Sequence, residues 1–334
     1  MRAERCVPFE SDLSLSRLEK REEVAMQIKF LSIALVAVFS LAAVAQTTPP
    51  RPKITGLSHM GVYTTDPAAT EHYYTAILGA VKLADPENPK GVRYAFSTTQ
   101  FIEVLPLPAG QTINRLDHTA WNTDNAEGMR RYLAAKGWKT PAHVDKGSDG
   151  SRWFEVRDPE GNRVQFFELP AHAQVIDAPN AIGHHIIHTG YMVHDRAKED
   201  KFYRELLGFR PYWWGGWKPE VKIDWVAEQC PDGHDWMEYM MTRGESGMPA
   251  DMTQHELGVM DHFSVGVVSV PDAYKVLEAG GRLGAQHDKA PKIGLDGKYQ
   301  FNIYDPDGIR AELMNFHATE KPCCSPFTAD DPAE

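Results

Sequence analysis

Four stretches of the chain share one order of hydrophobic and polar positions. Each opens with a mostly apolar run typical of a buried strand, continues with a helix pattern that ends at glycine, and returns to strand-like runs. The first apolar run covers 54–63, and the later ones begin near Leu116, His188 and His262. The pattern therefore predicts four units, each of one strand, one helix and further strands.

The helix boundaries of the first and third units indicate that these units are related. In the first unit Asp66 is a favourable N-cap, Pro67 suits the first helical position, and Gly79 ends the helix. In the third unit Asp195 and Gly208 stand at the same places, so that 13 positions separate cap and glycine in both units. Matching residue types at matching offsets indicate an internal duplication.

A turn motif precedes the last strand of the second and fourth units, at 158–161 and 305–308. Both motifs read Asp-Pro-acid-Gly, in which Pro fixes φ and Gly accepts the positive φ that closes a hairpin. The run after the later turn, 309–316, is mostly apolar and predicts a buried strand, yet it contains Glu312. An unpaired carboxylate in such a strand would be costly or would have to be protonated, so Glu312 needs a partner.

Histidine recurs on the first strand of every unit, and Glu usually recurs on the last. The histidines are His59, His118, His188 and His262, and the first and fourth units carry Glu103 and Glu312. For one buried pair, such as His262 and Glu312, a hydrogen bond inside the core explains the residues as well as a metal ion does. Because the pair recurs along the chain, a shared metal ion becomes the favoured explanation.

Composition excludes some classes of partner. The chain has 334 residues, 42% of them hydrophobic, which is enough for a substantial core, and a net charge of −11. The acidic balance disfavours nucleic acid and anionic membrane surfaces as partners. We accordingly expect no binding to nucleic acid.

The N-terminal region has the pattern of a secretory signal peptide. From Met26 a short positive segment leads into an apolar run over 30–44, and an Ala-Val-Ala cleavage signal precedes Gln46. The run is too short for a comfortable transmembrane helix. We therefore expect a signal peptide over 26–45, no membrane span in the mature chain, and a periplasmic or secreted protein. Residues 1–25 do not fit such a leader, so Met26 is the expected start; the alternative is a long n-region.

Cysteine usage indicates no disulfide framework. Cys230, Cys323 and Cys324 remain after the predicted cleavage, and their odd number and spacing match neither a disulfide scaffold nor a zinc motif. The adjacent pair near the C-terminus has three open interpretations: a redox-active, a metal-binding or an inert pair.

Units of this kind, used in pairs, resemble the vicinal oxygen chelate superfamily, which includes glyoxalase I, extradiol dioxygenases and bleomycin-resistance proteins. The resemblance covers about 54–316 by motif and spacing. It implies an α+β fold in which four βαβββ modules pair into two cupped-sheet, glyoxalase-like domains. The implied segments are a linker at 46–53, an N-terminal domain at 54–170, an inter-domain linker at 171–182, a C-terminal domain at 183–317 and a tail at 318–334.

The resemblance also implies two sets of metal ligands, since the family holds its metal by His or Gln and by Glu from the first and last strands. The C-terminal set is His188, Glu238, His262 and Glu312, and the second, weaker set is His59, Glu103, His118 and Gln165. Mixed nitrogen and oxygen ligands suit a divalent Zn, Fe, Mn, Co or Ni ion and do not select one. We expect metal in the C-terminal set, while the other set stays undecided.

Register favours Gln165 over Glu168 as the fourth member of the N-terminal set. Gln165 lies seven positions after Asp158, as Glu312 lies seven positions after Asp305. Glu168 is three positions further along, and side chains an odd number apart on a strand point to opposite faces. Glu168 is therefore expected to face away from the site.

The resemblance implies a metal-dependent protein for small molecules with two neighbouring oxygens, and three activities stay open. The first is an isomerase, epimerase or lyase in which Glu238 or Glu312 transfers a proton. The second is an extradiol ring-cleaving dioxygenase with Fe(II). The third is a resistance-type protein that binds a small ligand without turnover. The substrate and the oligomeric state are not determined by the sequence.

The dioxygenase fingerprint around the last ligand is incomplete in this chain. The turn at 305–308, Glu312 and Phe301 match it, but Asn302 occupies the position of a tyrosine. The histidine expected at 293–295 is replaced by Ile, Gly and Leu. Because the acid–base groups of ring cleavage are missing from their places, proton transfer is the favoured reaction.

Other residues have a structural and a functional interpretation. Tyr212, Trp213, Trp214 and Trp217 could stack a ligand at the mouth of the cup, although packing between sheet and helix is favoured. His184 is either a group behind the metal ligands or a surface residue, and His234 is expected in solvent. The segment 243–258 is either a lid or a crossover.

Overall fold

The computed structural model describes residues 49–111, 114–216, 223–242 and 261–334. The predicted leader and signal peptide over 1–45, Trp217 and the segment 243–258 lie outside the described residues. In the ranges that are described, no helix combines the length and the apolar character needed to cross a membrane.

The first half of the chain forms an eight-stranded sheet with the order β2-β3-β4-β1-β5-β8-β7-β6. Its strands are β1 (Ile54–Thr64), β2 (Val81–Ala84), β3 (Val92–Ala95), β4 (Phe101–Pro106), β5 (Leu116–Thr123), β6 (Asp145–Lys146), β7 (Arg152–Arg157) and β8 (Arg163–Glu168). The central pair β1 and β5 is antiparallel, and each of them lies parallel to the last strand of its own module, β4 or β8.

The second half repeats this sheet strand for strand. The order is β10-β11-β12-β9-β13-β16-β15-β14, which is the first order with eight added to each number. Its strands are β9 (His185–Val193), β10 (Arg210–Gly215), β11 (Trp225–Gln229), β12 (Trp236–Met241), β13 (His262–Val267), β14 (Lys292–Ile293), β15 (Tyr299–Tyr304) and β16 (Arg310–Asn315). The predicted α+β fold of four βαβββ modules in two cupped sheets is confirmed.

One helix follows the first strand of each module. The helices are α1 (Pro67–His72), α2 (Ala126–Ala135), α3 (Arg196–Asp200) and α4 (Val270–Ala279). Each starts at a side chain that accepts a hydrogen bond from the backbone three positions later: Asp66, Asn125, Asp195 or Ser269. In the first and third modules the helix continues as a π-helical turn, at Tyr73–Ile77 and Lys201–Leu206. The sequence did not predict these turns, although their recurrence agrees with the duplication.

The hairpins of the second and fourth modules connect the two halves. Glu160 accepts hydrogen bonds from the backbone N–H groups of His194, at 2.7 Å, and Asp195, just before α3. Asp307 accepts from the backbone N–H of Thr65 at 2.9 Å and from its hydroxyl at 2.7 Å, just before α1. The acid of each Asp-Pro-acid-Gly turn therefore joins the hairpin of one half to the helix start of the other.

Candidate metal centres

The C-terminal cup is the cluster formed by His188, Glu238, His262 and Glu312. The Nε2 atoms of His188 and His262 are 3.0 Å apart. An oxygen of Glu312 lies 3.2 Å from Nε2 of His188, and an oxygen of Glu238 lies 3.4 Å from Nε2 of His262. Sheet topology produces this convergence, because β9 and β13 pair with each other and each has its module's last strand, β12 or β16, on its other side.

A glycine on the first strand makes room for the imidazole opposite. Gly190 is the register partner of both Glu238 and His262. A Cβ atom at Gly190 would overlap the ring of His262, and one at Gly61 would overlap the ring of His118 in the other half. A side chain at either glycine would therefore displace the histidine pair.

The donor set of the C-terminal cup fits a divalent cation. The two Nε2 atoms are 3.0 Å apart and cannot both point a proton at each other, so at least one imidazole presents its lone pair to the cup. Two carboxylates in one buried space also repel each other unless a cation or a proton lies between them. His188, His262 and Glu312 each place a ligand atom within 4.8 Å of the other two, as a metal site requires.

The two carboxylates of the C-terminal cup differ. Burial, together with the negative charge of Glu312, raises the pKa of Glu238 to about 8. Although burial opposes it, the hydrogen bond with His188 holds the pKa of Glu312 below its ordinary value. Burial lowers the pKa of His188, so the neutral imidazole, which is the metal-binding form, is favoured.

An aromatic wall supports His188 from behind. The ring of Trp236 stacks on His188 with centroids 4.6 Å apart. The buried ammonium of Lys298 lies 5.1 Å from the centroid of Trp236 and donates hydrogen bonds to Tyr212 Oη at 3.1 Å and Asp331 Oδ1 at 2.8 Å. Since Asp331 belongs to the tail, residues 318–334 complete this side of the cup.

The N-terminal cup contains a closely similar histidine pair. The Nε2 atoms of His59 and His118 are 2.9 Å apart, and an oxygen of Glu103 lies 3.8 Å from Nε2 of His118. The ring of Phe101 stacks on His59 with centroids 4.3 Å apart, as Trp236 does on His188. Nδ1 of His118 is 2.8 Å from Asp117, which fixes the ring and leaves Nε2 directed at the cup.

Gln165 is buried beside this histidine pair, and its amide contacts Glu87, a residue that the sequence analysis did not single out. Its amide nitrogen donates to Glu87 Oε2 at 2.9 Å, while Glu87 Oε1 lies 3.9 Å from Nε2 of His59. Glu87 comes from the loop between β2 and β3. A loop has no strand or helix periodicity from which the direction of a side chain could be predicted. Its loop location is the reason why the sequence analysis missed it.

Arg93 is a second component of the N-terminal cup that the sequence analysis missed. Its guanidinium bonds to Glu87 at 2.5 Å and to Asp85 at 3.1 Å, and it lies over the ring of Phe101. Burial and the neighbouring carboxyl of Asp85 raise the pKa of Glu103. Arg93 is the register partner of Glu103, and at the corresponding place in the other half Ala227 partners Glu238.

The structure places the other predicted residues outside the two clusters. Glu168 accepts a hydrogen bond from the backbone N–H of Ala126 at the start of α2, at 2.8 Å, which directs it to the helix side. His184 and His234 are exposed. Tyr212 lies in the aromatic wall, Trp213 is buried, and Trp214 is 39% exposed. The favoured packing interpretation of these aromatics agrees with the positions of Tyr212 and Trp213.

Asn302, at the position where the dioxygenase fingerprint has a tyrosine, lies next to Glu312. Asn302 is the register partner of Glu312, and its amide nitrogen donates to Asp288 at 2.8 Å. His287 and His317, which are equally near to Asn302 in the sequence, are both exposed. In the described part of the C-terminal half, histidines contribute to the cup only through His188 and His262.

Solved structures share this fold at low sequence identity. A catechol 2,3-dioxygenase superposes with a TM-score of 0.56 at 17% identity, over 79% of this chain and 93% of the other. An Mn(II)-bound glyoxalase from Novosphingobium aromaticivorans gives 0.58 at 16%, over 79% and 83%. Homoprotocatechuate 2,3-dioxygenase from Arthrobacter globiformis gives 0.58 at 16%, over 80% and 81%. At these identities the similarity establishes the fold alone.

Family membership follows from the sequence profile. No curated protein matches the chain. The profile of the Glyoxalase/Bleomycin resistance protein/Dioxygenase superfamily matches residues 56–166 and 185–313, one segment for each sheet and together more than half of the chain. The resemblance noted in the sequence is therefore confirmed, and both histidine–glutamate clusters are of a kind that can hold a divalent metal. The chain belongs to the glyoxalase/bleomycin resistance protein/dioxygenase superfamily.

Proposed function

We propose that this chain is an exported, metal-dependent isomerase, epimerase or lyase that transfers a proton on a small substrate with two neighbouring oxygens. The observation that carries the proposal is the convergence of two imidazoles and two carboxylates in the C-terminal cup, with closest separations of 3.0 to 3.4 Å. His188, Glu238, His262 and Glu312 would hold the cation. A divalent cation bound there supplies Lewis acidity to two substrate oxygens and acidifies the carbon beside them.

Glu238 is the carboxylate best placed to act as the base. Its side chain is 18% exposed, against 7% for Glu312, and its contact with His262 at 3.4 Å is the longer of the two closest carboxylate–imidazole contacts. A less confined carboxylate can turn toward an incoming substrate. Glu238 then takes the proton from the carbon next to the substrate carbonyl and returns it to the neighbouring carbon or to a leaving group. The buried Glu312 stays with His188.

A specific observation favours a second candidate, the ring-cleaving dioxygenase. His188, His262 and Glu312 form a set of two histidines and one carboxylate, the pattern used by oxygen-activating non-haem Fe(II) centres. Two of the three solved structures described above are dioxygenases. Against this candidate, Glu238 lies 3.4 Å from Nε2 of His262, where it can act as a fourth protein ligand. Asn302 and the exposed His287 supply no acid–base group to the cup.

Export is part of the proposal and rests on the sequence of the leader. The apolar run and the Ala-Val-Ala signal before Gln46 support a mature chain that begins at Gln46. N-terminal sequencing of the exported protein tests this directly. A mature product that retains any of residues 1–25 would contradict it.

The assay for the reaction separates proton transfer from oxygen consumption. Protein loaded in turn with Fe(II), Mn(II), Zn(II) or Ni(II) is offered 2-hydroxycarbonyl compounds in deuterium oxide and catechols in an oxygen electrode. We expect solvent deuterium to enter the hydroxycarbonyl compound and Glu238→Gln to abolish the exchange. His184→Ala, a change at an exposed histidine outside the cup, is the control that should retain it. Stoichiometric oxygen uptake with a yellow ring-cleavage product would establish the dioxygenase instead.

A further inference from the structure

The N-terminal cup places three buried carboxyl groups beside one guanidinium, that of Arg93. Ligand oxygens of Asp85, Glu87 and Glu103 lie within 4.8 Å of one another. The side chains of Asp85 and Glu87 are 0% and 5% exposed, and Glu103 is equally buried. Arg93 is paired with Asp85 and Glu87. Three buried carboxyl groups beside one guanidinium cannot all be ionised without a large cost, so the cluster needs either bound protons or an added cation.

The histidine pair His59 and His118 lies next to this carboxyl cluster. Glu103 belongs to two groups of potential ligands, one with His59 and His118 and one with Asp85 and Glu87. In the described part of the chain, the side-chain oxygen of Gln165 and one oxygen of Asp85 are buried without a hydrogen-bond partner. Two imidazole nitrogens, a strand carboxylate, a loop carboxylate and two unpartnered oxygens thus lie around one small region.

We propose that the N-terminal cup holds a second divalent cation, ligated by His59, His118 and Glu103 and by the loop residue Glu87 in place of Gln165. The set then has two imidazoles and two carboxylates, as in the C-terminal cup. This inference concerns the other half of the chain and does not depend on the proposed reaction.

The neighbours of Glu87 hold it in place as the surroundings of a metal ligand should. Its two oxygens accept from Gln165 at 2.9 Å and from Arg93 at 2.5 Å, and its backbone N–H donates to Asp85 at 2.9 Å. Each carboxylate oxygen has two lone pairs, so these bonds leave acceptor capacity for a metal. Gln165 and Arg93 are therefore positioning residues for Glu87.

Paired inactivation of the two cups tests the inference by stoichiometry. Wild type, His262→Ala and His118→Ala are loaded with Mn(II), dialysed, and assayed for metal per chain by mass spectrometry and for the Mn(II) signal by electron paramagnetic resonance. We expect two ions per wild-type chain and one in each variant, with different spectra for the two cups. A His262→Ala chain that keeps no ion overturns the inference. A His118→Ala chain that keeps no ion contradicts the metal site of the proposed function instead.

Charge-matched variants in the His262→Ala background then identify the fourth ligand. Glu87→Gln should weaken Mn(II) binding by at least about 100-fold, and Gln165→Ala by about 10-fold, the size expected for a residue that only orients a ligand. Asp149→Asn removes the same charge 4.0 Å from Arg93, away from the histidines, and should leave affinity unchanged. A larger loss in Gln165→Ala than in Glu87→Gln would show that Gln165 is the ligand. Circular dichroism establishes that each variant is folded.

Discussion

The two cups keep the same histidine pair and differ in the groups around it. The Nε2 atoms are 2.9 Å apart in the N-terminal cup and 3.0 Å apart in the C-terminal cup, and an aromatic ring stacks on the first histidine in both. The carboxylates differ. In the C-terminal cup both come from strands, whereas in the N-terminal cup Gln165 stands at the place of Glu312 and Arg93 lies among the carboxyl groups. The comparison shows that strand pairing and one glycine fix the imidazoles, while the charged groups can change with the surrounding loops.

The inter-domain linker and the C-terminal tail, which follow the first and second halves, also differ in how they pack against the cups. The tail places Phe327 against Tyr212, at 4.8 Å between centroids, and Asp331 against Lys298. The inter-domain linker instead leaves a cavity of about 320 Å³ beside Arg93 and Phe101. The C-terminal cup is therefore supported by a packed wall, while the N-terminal cup has open volume on the corresponding side.

The largest expected effect is a loss of turnover when a metal ligand is removed from the C-terminal cup but not from the N-terminal cup. Glu312→Ala should lower metal affinity of the C-terminal cup by at least about 100-fold, equivalent to about 3 kcal/mol, and should abolish turnover. Glu103→Ala, the matched change in the other half, should leave kcat within about twofold because the proposed function places the substrate in the C-terminal cup. Equilibrium dialysis and the deuterium-exchange assay measure both. If Glu103→Ala abolished turnover while the C-terminal ion stayed bound, catalysis would not be confined to the C-terminal cup.

The next effect tests the wall that only the C-terminal cup has. Asp331→Asn removes the carboxylate that accepts a hydrogen bond from the buried ammonium of Lys298. We expect a loss of about 2 to 3 kcal/mol in the free energy of unfolding, at the low end for a broken buried pair because Asp331 is 21% exposed. Asp330→Asn removes the same charge one position earlier and should change stability by less than about 0.5 kcal/mol. Urea unfolding measures both variants.

A double variant shows whether the loss comes from the uncompensated charge. In Lys298→Met/Asp331→Asn the ammonium is gone, so most of the stability should return. At the corresponding position the N-terminal half has Ser151, which agrees with the absence of a buried ammonium from the described residues of that cup. Equal losses in the single and double variants would mean that the tail stabilises the wall by packing alone.

Strand periodicity explains what could be predicted from the sequence. The position of Glu312 seven residues after Asp305 fixes its face on the sheet, and the same count selects Gln165 over Glu168. Glu87 and Asp331 lie in a loop and a tail, where no repeating pattern relates sequence position to direction. Their contacts arise from the way the chain folds back over each sheet, so they became visible only in the structure.

The smallest expected effect concerns the two hairpin acids that join the halves. Glu160 and Asp307 both accept from backbone N–H groups just before a helix of the other half. Such charge-assisted bonds contribute about 1 to 2 kcal/mol. Glu160→Gln and Asp307→Asn should therefore each lower the free energy of unfolding by about that amount, measured by urea unfolding at pH 7. A loss confined to one variant would show that the two joints are not equivalent.

Acid pH sharpens the test at Asp307. Although burial opposes it, hydrogen bonds from Thr65 and Arg115 hold the pKa of Asp307 below its ordinary value. A carboxyl with a depressed folded-state pKa contributes its full stability above the unfolded-state pKa, near 4, and loses it as the pH falls through the folded-state pKa. The stability difference between wild type and Asp307→Asn should thus be constant from about pH 7 to pH 5 and shrink below about pH 4. A difference that persists unchanged at about pH 2 would show that the carboxylate charge is not what stabilises this joint, and that the geometry of the hairpin alone holds the halves together.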